Sequence, residues 1–149
     1  MPDTPSPHDP QVFVQYTVLI EAPIAVVYER WNRVEEFPSF MEGVREIAKL
    51  DERRFSLKSE HGGQHFLSIC EIALRIPDRR MAWRTIEGPD SSGVACFQNV
   101  GGGRTEVTLK MRYNPNDGWQ NTAEVEARLR RNLDRFKALV ESGREVAQR

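Results

Sequence analysis

Residues 125–140 have the sequence VEARLRRNLDRFKALV, and this stretch decides the fold of the 149-residue chain. Apolar side chains recur in it every three or four positions, with acids and arginines between them. Such spacing predicts an amphipathic helix with one apolar stripe, formed by Val125, Leu129, Leu133, Phe136 and Val140. We predict the helix over residues 119–142, with Gly143 as its C-cap and a frayed tail at 144–149. A stripe of this length must pack on a large apolar surface.

The residues before the helix supply that surface, because their apolar side chains alternate at the period of β-strands. In the last predicted strand, the apolar residues Val107, Leu109, Met111 and Tyr113 alternate with polar residues. Short turns such as Gly62-Gly63 and Pro77-Asp78 separate the stretches, so successive antiparallel hairpins are expected. Seven strands are predicted, at residues 11–21, 44–50, 53–60, 64–76, 79–87, 92–100 and 104–113.

Two short helices are predicted between the first two strands. The first runs from Pro23 to about Asn32, and the second from Val34 to Met41, where Pro38 limits its length or makes it irregular. Their large apolar residues exceed what such short helices need for themselves: Trp31, Phe37, Phe40 and Met41. These side chains either cover the mouth of a pocket or fasten the helices to the sheet.

Strand parity predicts which side chains face the long helix. The inward set of the other strands is Phe55, Leu57, Phe66, Ser68, Cys70, Ile72, Met81, Trp83, Thr85, Ala95 and Phe97. Ser68, Thr85 and Tyr113 are its hydrogen-bonding members, suited to a ligand carbonyl or hydroxyl. Glu71 is predicted to face outward as a salt-linked surface residue.

The composition is that of one ordinary globular domain. Hydrophobic residues make up 39% and charged residues 29%, with a net charge of -1. We place the domain at residues 11–143, after a flexible leader at 1–10 that contains four prolines. No basic excess points to nucleic acid, and the group Arg128, Arg130 and Arg131 is interpreted as a solvated helix face. Without an apolar run of membrane length, the expected location is the cytoplasm.

Metal and redox motifs are not evident. Cys70 and Cys96 lack CxxC spacing, and the three histidines do not form a zinc ligand set. His61 and His65 flank a Gly-Gly turn, where we expect both to be exposed to solvent. We therefore expect no metal and no cofactor, and no catalytic residue is identified.

The local sequence resembles that of one protein superfamily over residues 12–142. The matching stretches are EAPIAVVY (21–28), Trp31 with FPSFM (37–41), PDRRMAWR (77–84), SGVACF (92–97), RTEVTL (104–109) and LDRFKAL (133–139). The chain is similar to START-like (SRPBCC) helix-grip proteins, and most similar to their polyketide cyclase/dehydrase and coenzyme Q-binding group. The resemblance implies an α+β fold, in which a curved antiparallel sheet and a long C-terminal helix enclose a cavity whose mouth the short helices form.

The resemblance and the strand parity together give the expected ligand-binding residues. They are Trp31, Phe37, Phe40, Met41, Phe55, Phe66, Ser68, Trp83, Thr85, Phe97, Met111, Tyr113, Leu129, Leu133 and Phe136.

Three functions remain open, because a fold does not name an activity. The leading hypothesis is binding or transport of a small hydrophobic molecule, such as a lipid, an isoprenoid or quinone, or a polyketide-like aromatic. The second is a cyclase or dehydrase that acts by restraining a reactive polyketone. The third is an interaction module, for example a homodimer, that uses the outward residues Leu67, Ile69 and Val94.

Overall fold

The alternating stretches form seven strands in the computed structural model, which describes residues 11–115 and 122–147. Each strand begins and ends within one residue of its predicted range. Their bounds are β1 Val12–Ile20, β2 Val44–Lys49, β3 Arg54–His61, β4 Gln64–Ile76, β5 Arg80–Glu87, β6 Ser91–Gly101 and β7 Arg104–Tyr113.

The strands form one antiparallel sheet in the order β1-β7-β6-β5-β4-β3-β2. From β2 to β7, each strand is connected to the next by a hairpin. The first strand, β1, pairs with the outer edge of β7, from Val12 opposite Tyr113 to Ile20 opposite Thr105. With the long helix described below, this is the α+β helix-grip architecture that the sequence predicts.

The predicted parity of the strands is confirmed. Val107, Leu109 and Tyr113 of β7 are buried, whereas Lys110 is exposed. The inward residues of the remaining strands are buried or partly buried, and most of the apolar ones belong to one core with the long helix. Glu71 faces outward and accepts a hydrogen bond from Arg84 at 2.7 Å, as expected for a salt-linked surface position.

The long helix α2 runs from Thr122 to Ala147. All five residues of its predicted apolar stripe are buried, from Val125 to Val140. Gly143 does not end the helix, and the predicted frayed tail is helical as far as Ala147. A Cβ at position 143 would lie 3.2 Å from Nη1 of Arg30, so the glycine gives room to this neighbouring side chain and does not act as a cap. The predicted start at residue 119 and the leader at 1–10 lie outside the described residues.

Two short helical segments connect β1 to β2. The helix α1 spans Ile24–Trp31, and a 3-10 helix spans Val34–Ser39. Pro38 lies in the last turn of the 3-10 helix, which ends one residue later, in agreement with the expectation that it limits the length of this segment. Trp31 packs edge-on against Phe136 of α2 with ring centroids 5.1 Å apart, which fixes these segments over one end of the sheet.

Candidate functional site

The concave face of the sheet and helix α2 do not meet everywhere, and a cavity of about 170 Å³ lies between them. Residues of β3, β4, β5 and β7 form its floor, and Val125 and Leu129 of α2 lie across from them. Trp31, Phe37 and Met41 close the side nearest the short helices. An engineered cavity of about 150 Å³ holds one benzene ring, so this space suits a small ring system without rearrangement.

Ten of the fifteen residues predicted to bind a ligand line this cavity. They come from the segment between β1 and β2, from four strands and from α2: Trp31, Phe37, Met41, Phe55, Phe66, Ser68, Trp83, Thr85, Met111 and Leu129.

The other five predicted residues are buried in the core beside the cavity: Phe40, Phe97, Tyr113, Leu133 and Phe136. Neighbouring rings fill the space that three of them face. Phe40 and Phe136 pack on each other with centroids 5.2 Å apart. Phe97 packs edge-on against Tyr28 at 5.2 Å. Parity predicts that a side chain points inward, but these contacts decide whether open space remains in front of it.

Hydroxyl groups form the polar part of the floor. Ser59, Ser68, Thr85 and Ser91 line the cavity, and the Thr85 and Ser91 hydroxyls lie 3.1 Å apart in a hydrogen bond. Burial raises the pKa of the neighbouring Cys70 thiol to about 11, against the smaller opposing effect of a hydrogen bond with Thr85. The thiol is therefore protonated at neutral pH and is a poor nucleophile. These groups can donate to a ligand carbonyl but cannot act as strong acids or bases.

A second polar group lies where α2 meets the loop before β2. We call it the charged rim and define it as Glu42, His61, Arg128 and Asn132, all of which line the cavity. Asn132 Oδ1 accepts a hydrogen bond from the Glu42 backbone N–H at 2.8 Å. The Glu42 carboxylate accepts two more from Arg131, at 2.8 and 3.1 Å. The rim is thus tied to α2 and to the loop at the same time.

For two rim residues, His61 and Arg128, the expectation of solvent exposure is wrong. His61 is partly buried beside Phe66, with ring centroids 6.3 Å apart, and does not project freely into solvent from its turn. Arg128 is only 7% exposed and is not part of a solvated face, unlike its neighbours Arg130 and Arg131. The sequence contains a signal for Arg128, because it follows Val125 by three residues and so continues the buried side of the helix.

The Trp83 side chain forms a cavity wall because its strand neighbour is a glycine. Trp83 lies opposite Gly93 in the register of β5 and β6. A Cβ at position 93 would lie 2.3 Å from Cζ2 and Cη2 of the indole. Gly93 therefore lets the ring lie against the sheet backbone, which sets one dimension of the cavity.

The outer face of the sheet carries the three residues named for an interaction surface. Leu67 is 59% exposed, whereas Ile69 and Val94 are partly buried. Ile69 lies opposite Glu87 and Val94 opposite Ala82, at different levels of β5. The three side chains are therefore not neighbours in one compact patch.

Among residues 11–115 and 122–147, no three His, Cys, Asp or Glu side chains are grouped so that they could hold a metal ion. No helix in the same part of the chain has the length and apolar character needed to cross a membrane.

Comparison with known proteins gives relatives over nearly the same span. An uncharacterized 17.2 kDa protein of Streptomyces lincolnensis is 29% identical over 133 residues, which cover 86% of this chain and 89% of that protein. A crystal structure of a Deinococcus radiodurans protein is 27% identical with a TM-score of 0.72, covering 89% of this chain and 99% of that one. The Zhui aromatase/cyclase of a Streptomyces species has the same fold, at 20% identity and a TM-score of 0.68, over 88% of this chain and 94% of its own.

A family model matches residues 20–138, which include the two short helices, six of the seven strands and most of α2. Its description is polyketide cyclase / dehydrase and lipid transport. The chain belongs to this polyketide cyclase/dehydrase and lipid transport family.

Proposed function

We propose that the protein binds and carries a small, mostly hydrophobic molecule in the cavity between the sheet and α2. The observation that carries this proposal is the cavity itself, whose walls are mainly apolar and aromatic side chains from separate elements. Ligand sites of this type are concave and apolar, with a few placed polar groups. Membership of a family that includes lipid transport agrees with this function.

The polar groups of the cavity favour binding over chemistry. Its strand hydroxyls are weak acids, and burial keeps the Cys70 thiol protonated. Glu42 is the one carboxylate in the cavity lining of the described residues, and its two oxygens are engaged by Arg131. General acid-base catalysis needs a group that can exchange a proton near neutral pH. Arg131 holds the pKa of Glu42 below its usual range, away from that condition.

Native mass spectrometry of the protein as purified tests the proposal. A carrier is expected to retain one apolar molecule per chain, which extraction and fragmentation would then identify. Protein that arrives empty, and stays empty after incubation with extracted cell lipids and aromatic compounds, would count against a carrier.

A cyclase or dehydrase is the second candidate. The observations in its favour are the four hydroxyls of the cavity floor and the structural similarity to an aromatase/cyclase. In this reaction the hydroxyls would donate to the carbonyls of a folded polyketone, and restraint of the chain would supply most of the acceleration. Incubation with a linear polyketone, followed by chromatography of the cyclised products, distinguishes the two functions. Product distributions identical to those without protein would exclude the cyclase.

We also propose a reducing compartment, the cytoplasm, and no nucleic-acid partner. Cys70 and Cys96 are both free and lie on β4 and β6 with β5 between them. Disulfides are uncommon in the cytoplasm, so two free thiols fit this location. The net charge of -1 gives no general attraction to phosphates. A homodimer stays a prediction, which sedimentation of the purified protein would test.

A further inference from the structure

The two edges of the sheet differ in how well they are protected against pairing with another strand. The strand β2 forms one edge, and its six residues, VREIAK, include three charged ones. Its register with β3 is interrupted between Val44 and Glu46. Short length, charge and bulges are devices by which proteins keep an edge strand from pairing. The β2 edge is therefore protected against a further strand.

The strand β1 forms the other edge and has none of these devices. Its nine residues, VFVQYTVLI, include no charged residue and no proline, and they pair with β7 without a break in register. Within residues 11–115 and 122–147, no strand pairs with the side of β1 that faces away from β7. Backbone N–H and C=O groups on such a side are a template for another strand.

The side chains of β1 leave apolar surface at this edge on both faces of the sheet. Phe13 is 74% exposed and Leu19 is 39% exposed on the outer face. On the inner face, Val12 and Tyr16 are only partly buried, although they pack against the core. A partner strand at this edge would cover apolar surface as well as pair backbone groups.

The sequence of β1 is complementary to itself in an antiparallel pair. The register that pairs all nine residues with a second copy has a two-fold axis at Tyr16, and residues on the same face of the sheet then lie opposite each other. Phe13 lies opposite Leu19 of the second copy in this register. The two most exposed apolar side chains of the strand thus cover each other across the pair.

Helix α2 adds charge complementarity at the same axis. The Tyr16 hydroxyl donates a hydrogen bond to Asp134 Oδ1 at 3.1 Å, and the Arg130 guanidinium carbon lies 5.6 Å from the centre of the Tyr16 ring. Arg130 and Asp134 are both exposed and lie one turn apart on α2. A two-fold axis at Tyr16 reverses the helix direction in the second copy, so Arg130 of each copy comes to the level of Asp134 of the other.

We propose that two copies of this chain associate through β1, in an antiparallel pair about a two-fold axis at Tyr16, so that one sheet continues through both. Pairing uses the unprotected edge of each copy, and the protected β2 edges end the sheet. The assembly therefore closes as a dimer and does not grow into a fibre. Each chain keeps its own cavity, so the dimer goes beyond the proposed carrier function and does not depend on it.

Sedimentation equilibrium over a range of protein concentrations tests the dimer. Wild type is expected to follow a monomer–dimer equilibrium. Phe13→Lys places two charges in the strand pair, each opposite Leu19 of the other copy, and should raise the dissociation constant about tenfold or more. Because Phe13 is mostly exposed in the single chain, the variant should fold as wild type does, which circular dichroism would verify.

Leu67→Lys is the matched control, because Leu67 is also an exposed apolar residue but lies on β4, in the interior of the sheet. It should leave the dissociation constant unchanged. An exchange of charges tests the position of the axis. Arg130→Asp should weaken the dimer about threefold or more, and the double variant Arg130→Asp with Asp134→Arg should restore it.

Wild type that stays monomeric at every concentration overturns the proposal, and so does assembly into species larger than a dimer. A Phe13→Lys dimer as stable as that of wild type, or an equal loss of stability in Leu67→Lys, also overturns it. A double variant that dimerises no better than Arg130→Asp contradicts the axis at Tyr16.

Discussion

His61 illustrates at the residue scale how position changes ionisation. Its ring is enclosed by the backbone at Gly43 and by Phe66, and Arg128 faces it from α2. Burial is the main cause that lowers the pKa of His61 from its ordinary 6.5 to about 4, with Arg128 adding to the effect and Glu42 and Glu60 opposing it. The folded protein thus disfavours the protonated ring.

This shift predicts a loss of stability at acidic pH. Between pH 6.5 and 4 the unfolded chain binds a proton at His61 that the folded chain does not. The free energy of unfolding should therefore fall as the pH is lowered through this window. In His61→Gln the fall should be shallower, as measured by urea unfolding at several pH values. Parallel curves for the two proteins would show that His61 is not the cause.

Gly93 gives a second prediction at the same scale. The Cβ of Gly93→Ala would meet the Trp83 indole at 2.3 Å and the Lys110 carbonyl at 2.9 Å, so the ring must move. We expect a loss of about 1–3 kcal/mol in unfolding free energy, typical of overpacking. The same change in a Trp83→Phe background should cost less, because the smaller ring lacks the clashing atoms. Equal costs in the two backgrounds would disprove the contact.

At the scale of the element, the central feature is the packing of α2. Leu133 is fully buried near the middle of the helix, on the stripe that the sequence predicts. Leu133→Ala should lower the unfolding free energy by about 2–5 kcal/mol, through lost burial and the space left behind. Arg135→Ala, on the exposed side of the same helix, should change it by less than about 0.5 kcal/mol in the same denaturant experiment. Similar values for the two variants would argue against the packing.

At the scale of the whole molecule, the sequence predicts the fold more completely than the site. The strands and their inward faces follow from alternation along the chain, which is a local property. Alternation does not tell whether an inward side chain such as Phe97 meets open space or the ring of Tyr28. The burial of Arg128 and His61 is harder still to predict, because it depends on how distant elements meet. Polar residues are usually exposed, and the sequence therefore predicts that Arg128 and His61 face solvent. This prediction is wrong because both side chains lie where α2 packs near the end of β3.

The proposed function requires that an apolar ligand occupies the cavity between the sheet and α2. Leu57 lines the cavity, whereas Leu67 is exposed on the outer face of the neighbouring strand. The same substitution can thus be made on either side of the sheet. Leu57→Trp adds bulk inside the cavity, and Leu67→Trp adds it outside.

Fluorescence titration with N-phenyl-1-naphthylamine measures this occupancy, and circular dichroism confirms that both variants are folded. Wild type and Leu67→Trp are predicted to bind one probe per chain with the same affinity, and Leu57→Trp to bind it about tenfold more weakly or not at all. Non-saturable binding by wild type, or binding by folded Leu57→Trp that equals wild type, would contradict this occupancy.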